Sequence, residues 1–213
     1  MARTSGNRVP RAARREGERS PMEERIIASA VALFAEQGFD ATTVQQVVDR
    51  AQVTKGALYH YFDAKDDLLY EIYHALIGTQ TTDMDEIVAR GLPAADTVRA
   101  ILVDVVRTTV DRLAEAAVFF REVHKLDADR MAAFRADRRR YHETFRTVIA
   151  DAQATGEFAT VVPADTVVQI AMGVVNQLPV WYRRDGPKSA TDLGNEIADF
   201  ILAALRPDQS QQG

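Results

Sequence analysis

Cysteine is absent from the 213 residues, which excludes a disulfide framework, a thiol nucleophile and a thiolate zinc site. Tryptophan occurs once, and no apolar run approaches the ~18 residues that a membrane span needs. The chain starts with arginines but has no apolar segment of the signal-peptide type. Histidines 60, 74, 124 and 142 have none of the close spacings of a zinc motif. A G-x-S-x-G elbow, a phosphate-cradling glycine loop and a dinucleotide fingerprint are also missing. Glu122 and His124, two apart on a helix, would face different ways. These absences argue against an enzyme. No catalytic residue, metal ligand or cofactor is expected, and the expected location is the cytoplasm.

What is present points to a folded, helical chain. Hydrophobic residues make up 46% of it, with charges of both signs interspersed. The net charge of −5 conceals an asymmetry. Residues 1–20 carry six arginines against Glu16 and Glu18, whereas residues 66–213 carry 23 acidic and 16 basic residues. The opening segment lacks an apolar stripe and reads as a disordered basic arm, either a solubilising tail or an arm touching DNA phosphates.

At Ser20 the pattern changes. Ser20-Pro21-Met22-Glu23 has the form of a capping box with proline at the first helical position. Ile26, Ala30, Leu33 and Phe34 follow at helical spacing, and Gly38 is placed to end the helix in a left-handed conformation. A second helix starts at Thr42 or Thr43, with Gln45 or Gln46 in capping register, and buries Val44, Val47, Val48 and Ala51. Thr54 caps a third from Lys55 to about Phe62. Asp63, with Asp66 after it, is expected to cap a fourth. Further helices are expected over 64–90, 93–113, 115–126, 128–155, 163–184 and 189–205. A strand within TVVPADTVV (160–168) has no evident partner. The expected fold is all-α: a three-helix, helix-turn-helix unit followed by a larger helical domain. The expected divisions are an arm (1–20), a helix-turn-helix unit (21–66), a larger helical domain (67–206) and a disordered tail (207–213).

The third helix is too short to be stable alone. Leu58 and Phe62, four apart, suffice to pack it on the other two, with Ala57 and Tyr61 flanking that face. Lys55, Gly56, Tyr59 and His60 are left on the other side. A glycine at a helix N-terminus admits a phosphate close to free N–H groups. Lys55 adds charge there, and Tyr59 and His60 can reach phosphates or base edges. Packing of these rings against the next helix is the competing reading, and the stronger one for Tyr61.

TTVQQVVDRAQVTKGALYHYFDAKDDLL (42–69) resembles the DNA-binding segment of the TetR family of repressors, in which T/S-K-G-x-L-Y-x-H/Y-F is followed by x-x-K-x-x-L. The similarity spans residues 22–69. One departure is Gln52, which stands where the family commonly has a turn glycine. The resemblance implies phosphate contacts from Thr43, Thr54, Tyr59 and Lys65. It also implies roles near the bases for Lys55, Gly56 and His60, with Gln45 a weaker candidate. It further implies a homodimer on a palindromic operator, with the last two helices pairing across the twofold axis. Ile170, Val174, Val175, Ile197, Phe200 and Ile201 could supply that seam or be internal core.

The remaining polar residues suggest a sensor. FFREVHKL (119–126), RRRYHETF (138–145) and NQLPVWYRRDG (176–186) are similar to segments in the branch of the family that responds to acyl-CoA thioesters. That similarity implies a ligand site including Phe120, Arg121, His124, Tyr141, Asn176, Trp181 and Arg184, with arginines on the CoA phosphates. The arginine run also suits a solvated helix face, and Asn176 and Trp181 suit packing. An amphipathic or aromatic drug-like inducer of an efflux regulator is the alternative, as is a DNA-binding protein without a ligand.

Overall fold

The computed structural model describes residues 19–207. Residues 1–18 of the expected arm and 208–213 of the expected tail lie outside the described residues. Every regular element described is helical: α1 (Pro21–Gln37), α2 (Val44–Ala51), α3 (Lys55–Tyr61), α4 (Lys65–Ala89), α5 (Ala94–Asp111), α6 (Leu113–Glu122), α7 (Ala128–Ala154), α8 (Ala164–Asn176), α9 (Leu178–Trp181) and α10 (Ala190–Ala204). None is long and apolar enough to cross a membrane.

Local chemistry sets the first boundaries. Ser20 Oγ accepts the Glu23 N–H at 3.2 Å, ahead of Pro21. Gly38 ends α1 at φ 83°, ψ 163°. The positive φ matches expectation, but the extended ψ places it in a region open essentially to glycine alone rather than in the left-handed helical one. Thr43, not Thr42, caps α2. Its Oγ1 accepts from Gln46 N (3.2 Å) while Gln46 Oε1 accepts from Thr43 N (2.8 Å). Thr42 is buried and donates instead to Gly38 O (2.8 Å). Gln52 adopts φ 54°, ψ 47°, the one positive φ outside glycine among the described residues.

Three expectations are corrected. Asp63 does not cap α4; the cap is Ala64, whose N–H is accepted by Asp67 Oδ2 at 2.8 Å. The segment 115–126 divides into α6 and a 3₁₀ turn at Val123–Lys125. The helix expected to reach Arg184 ends at Asn176, because Pro179 has no N–H with which to continue it. A four-residue turn, α9, follows.

Two hydrophobic cores result. The first holds Ile26, Ala30, Phe34, Val47, Leu58 and Phe62, closed by Leu68, Leu69 and Ile72 of α4 with Val118 and Phe119 of α6. The second gathers Ile101, Leu102 and Val105 of α5, Phe145 and Ile149 of α7, Ala171 and Val175 of α8, and Ala198 and Ile201 of α10. The long α4 runs from one to the other, placing Leu68 in the first core and Met84 in the second. α5 and α10 approach very closely at Gly194, where a Cβ would sit 2.8 Å from Val103 Cα. Of the expected seam residues, Val175 and Ile201 are internal core, while Ile170, Val174 and Phe200 are exposed, Phe200 by 71%.

Candidate nucleic-acid interface and ligand cavity

α3 is held as its sequence requires. Thr54 Oγ1 accepts from Ala57 N at 3.1 Å, and Leu58 and Phe62 are buried. Burying a leucine contributes about 2 kcal/mol, enough to recruit a seven-residue helix that could not stand alone. Lys55, Gly56, Tyr59 and His60 all face solvent. Lys55 Nζ lies 5.9 Å from the Tyr59 ring centroid, placing a cation beside a phenol on one exposed face. Tyr61 is half-buried, and its hydroxyl accepts from Ser20 Oγ at 3.1 Å.

Gly56 has nothing but Thr54 Oγ1, at 4.0 Å, near the position of a Cβ, and its φ is not positive. Neither folding sterics nor backbone strain requires glycine here, although it costs about 1 kcal/mol of helix propensity relative to alanine. Space outside the protein is what its missing side chain preserves.

The neighbouring candidates differ in how free they are. Thr43 and Thr54 are exposed N-caps. Gln45 is exposed and donates to Asp49 Oδ1 at 2.8 Å. Lys65 is half-buried. Its ammonium donates to the carbonyls of Phe39 (2.6 Å) and Thr42 (2.9 Å) and stands 4.1 Å from the Phe39 ring centroid. Two of its three N–H groups therefore brace the loop before α2, leaving one for another acceptor. An Arg50–Glu36 pair (2.7 and 2.8 Å) fixes α2 to α1.

In the larger half, a narrow cavity of about 40 Å³ lies between α4, α5, α6, α7 and α8. Tyr73, Phe119, Phe120 and Phe134 form an aromatic wall, with Tyr73 stacked on Phe119 at 4.3 Å. Phe120, Tyr141 and Asn176 of the expected ligand residues line it. Burial holds the hydroxyl protons of Tyr141 and Tyr73 far more tightly than usual. Arg138 and His142, one helical turn apart on α7, complete the lining. Burial pushes the His142 imidazole below its usual range, and the Arg138 charge pushes it further. Arg138 makes no ion pair among the described residues.

The other four expected ligand residues stand outside this cavity. Arg121 donates to Phe34 O at the end of α1 and, through Nε, to Glu122 at 2.9 Å. His124 lies exposed in the 3₁₀ turn, and Trp181 is 48% exposed on α9. Arg184 donates to Val110 O (2.6 Å) and Asp111 O (2.9 Å), satisfying carbonyls at the end of α5. The two arginines expected at phosphates thus close helix ends. Sequence reasoning overlooked Gln80, which is buried beside the cavity and donates to Thr108 and Thr109 at 3.1 and 3.0 Å. Its signal was its register: it falls four residues after Leu76 on the buried stripe of α4.

α6 joins the two sites. Phe119 and Phe120 line the cavity, while the next two residues grip the three-helix unit: Arg121 at Phe34 O, and Glu122, buried, accepting from Phe39 N at 3.4 Å. Lys125 pairs with Asp40 just beyond.

Residues 26–72 match the model of bacterial regulatory proteins of the tetR family, and residues 91–205 match that of the tetracyclin repressor-like C-terminal domain. The HTH-type transcriptional repressor KstR2 of Rhodococcus jostii (strain RHA1) is 25% identical over 177 residues, covering 83% of this chain and 87% of that protein. Among solved structures, a tetR-family regulatory protein from Rhodococcus RHA1 superposes with a TM-score of 0.81 at 19% identity, over 90% of this chain and all of the other. The ketosteroid transcriptional regulator KstR2 of Mycobacterium tuberculosis gives 0.79 at 21% identity, over 90% of this chain and 98% of the other.

Proposed function

The chain belongs to the TetR family of bacterial transcriptional regulators, and from that premise we propose that it is a ligand-responsive repressor that binds a palindromic operator as a homodimer. Residues 21–66 act as the DNA-binding unit and residues 67–206 as the ligand-binding and dimerisation unit. The observation that carries this reading is the division of α3: Leu58 and Phe62 are buried, while Lys55, Gly56, Tyr59 and His60 are exposed around an unfilled space at Gly56. Thr43, Thr54, Tyr59 and Lys65 hold phosphates, and Lys55, Gly56 and His60, with Gln45 beside them, meet the base edges. Ile170, Val174 and Phe200 supply the exposed apolar seam for a second copy.

The inducer enters between α4, α6, α7 and α8. Its apolar, ring- or acyl-bearing part meets the aromatic wall and its anionic part meets Arg138. An acyl-CoA thioester is the class we favour, with Arg138 in the place first expected of Arg121 and Arg184. The cavity holds little more than one water in this state, far below the ~300 Å³ or more of a typical ligand pocket. Binding therefore has to part the helices. That gives the ligand a preference for a second conformation, without which no release would occur. Displacement of Phe119 and Phe120 reaches α1 through Arg121 and Glu122.

The test is a gel-shift titration on an inverted repeat selected from random duplexes. Acyl-CoA thioesters are expected to release the DNA, with free acids and cationic dyes inert. Release by dyes alone would overturn the CoA assignment in favour of an efflux-type regulator.

A further inference from the structure

A second concavity, far wider than the aromatic cavity, lies elsewhere. A groove of about 1150 Å³ runs between the start of α1 and the length of α4, reaching α6 and α7. Seven carboxylates line it, among them Glu23, Glu71, Asp83 and Asp137, against three arginines. Arg19 and Arg140 among these are already paired, with Glu71 and Asp85. Glu71 is the informative member. It is 7% exposed, and its Oε1 has no hydrogen-bond partner among the described residues. A buried, under-satisfied carboxylate beside an acidic groove marks a place built to receive positive charge.

The start of the described chain lies at this groove. Arg19 Nη2 donates to Glu71 O (2.9 Å) and Oε2 (3.1 Å), while the next residue, Ser20, donates to Tyr61 of α3 at 3.1 Å. The root of the basic arm is therefore fixed where the groove and the recognition helix meet. Residues 1–18 carry Arg3, Arg8, Arg11, Arg14 and Arg15 against Glu16 and Glu18. We propose that residues 1–18 dock in this groove when DNA is absent, with their arginines facing Glu71, Asp83 and Asp137, so that the groove and DNA phosphates compete for one arm.

The dimensions agree. Glu71 to Asp85 spans roughly 21 Å along α4 at ~1.5 Å per helical residue. An extended chain covers that in about six or seven residues, so Arg15 and Arg14 fall within the groove's length from Arg19 and Arg11 lies just past its far end. Tethering supplies an effective concentration in the millimolar range. Individual exposed ion pairs are weak. The docked arm is thus occupied without DNA and readily surrendered to a polyphosphate, whose counterion release favours the exchange.

Two measurements on the full-length chain test this. Because the chain has no cysteine, Ala13→Cys accepts a single nitroxide label. In the DNA-free protein, amide signals from Ala75 to Asp85 are expected to broaden. The broadening should disappear on adding duplex DNA selected for binding, and in the Asp83→Asn/Asp137→Asn variant. No broadening, or broadening unchanged in that variant, overturns the proposal. So does spermine protecting the groove while the label stays remote, which would assign the groove to a free cation. Second, Asp83→Asn/Asp137→Asn is expected to tighten DNA binding about three- to tenfold by freeing the arm. That gain should vanish when Arg11, Arg14 and Arg15 are changed to glutamine. An equal gain in both backgrounds, or none in either, rules out competition for the arm.

Discussion

The helix-turn-helix unit and the aromatic cavity are built on opposite principles. The first displays its chemistry on one turn of one short helix, where four exposed residues within 55–60 stand on a face held by Leu58 and Phe62. The second collects one or a few side chains from each of several helices, from Tyr73 to Asn176, around a space that is nearly closed. A surface of the first kind depends on local periodicity, while a cavity of the second kind depends on which helices become neighbours.

The largest expected effect separates recognition from folding. Lys55→Ala and Tyr59→Ala each remove a contact of about 1–3 kcal/mol per half-site. With two half-sites, the selected inverted repeat should bind about thirtyfold more weakly or worse. Thermal unfolding and sedimentation should stay unchanged. Equal DNA affinity in both variants would break the assignment of α3. Leu58→Ala inverts the pattern: it deletes a fully buried side chain and should destabilise the fold by about 2–4 kcal/mol in denaturant titration, with DNA binding lost as a consequence.

In the larger half, Gly194→Ala places a Cβ 2.8 Å from the Val103 Cα. Backbone cannot step aside as a flexible side chain can, so α5 and α10 must separate. A loss of about 1–3 kcal/mol in chemical denaturation is expected. No loss would show that this contact is softer than its geometry. Gln52→Gly relieves a left-handed residue in the turn before α3, offset by extra freedom in the unfolded chain. A gain of about 0.5–1 kcal/mol is expected, with DNA affinity unchanged.

The smallest effect is a pH dependence. His142 has a folded pKa below its usual 6.5, so the unfolded chain binds more protons than the folded one near and below that value. Stability should therefore be full above pH 6.5 and decline as pH falls through the depressed folded value. His142→Gln should flatten that decline in unfolding curves taken between pH 5 and 7. An unchanged slope would mean that the cavity does not desolvate this ring.

The asymmetry between the two regions explains what could be read early. The helix starts at Ser20, Thr43 and Thr54 were visible because each cap is a contact between residues three apart. The inward–outward split of α3 was visible because helical periodicity alone sets it. Arg121 and Arg184 could not be placed in this way. Their partners, the carbonyls of Phe34 and of Val110 and Asp111, lie 87, 74 and 73 positions away.

The amino-acid sequence by itself determined an all-helical chain, the boundaries of its first helices, and an exposed face carrying Lys55, Gly56, Tyr59 and His60, since caps and periodicity act over a few residues. Only the tertiary structure decided which polar groups meet a cavity, Arg138 and Gln80 rather than Arg121 and Arg184. It also set the arm's root between Glu71 and Tyr61. The physical reason is that burial and hydrogen-bond partnership belong to pairs of helices, and a helix does not encode its distant neighbour in its own pattern.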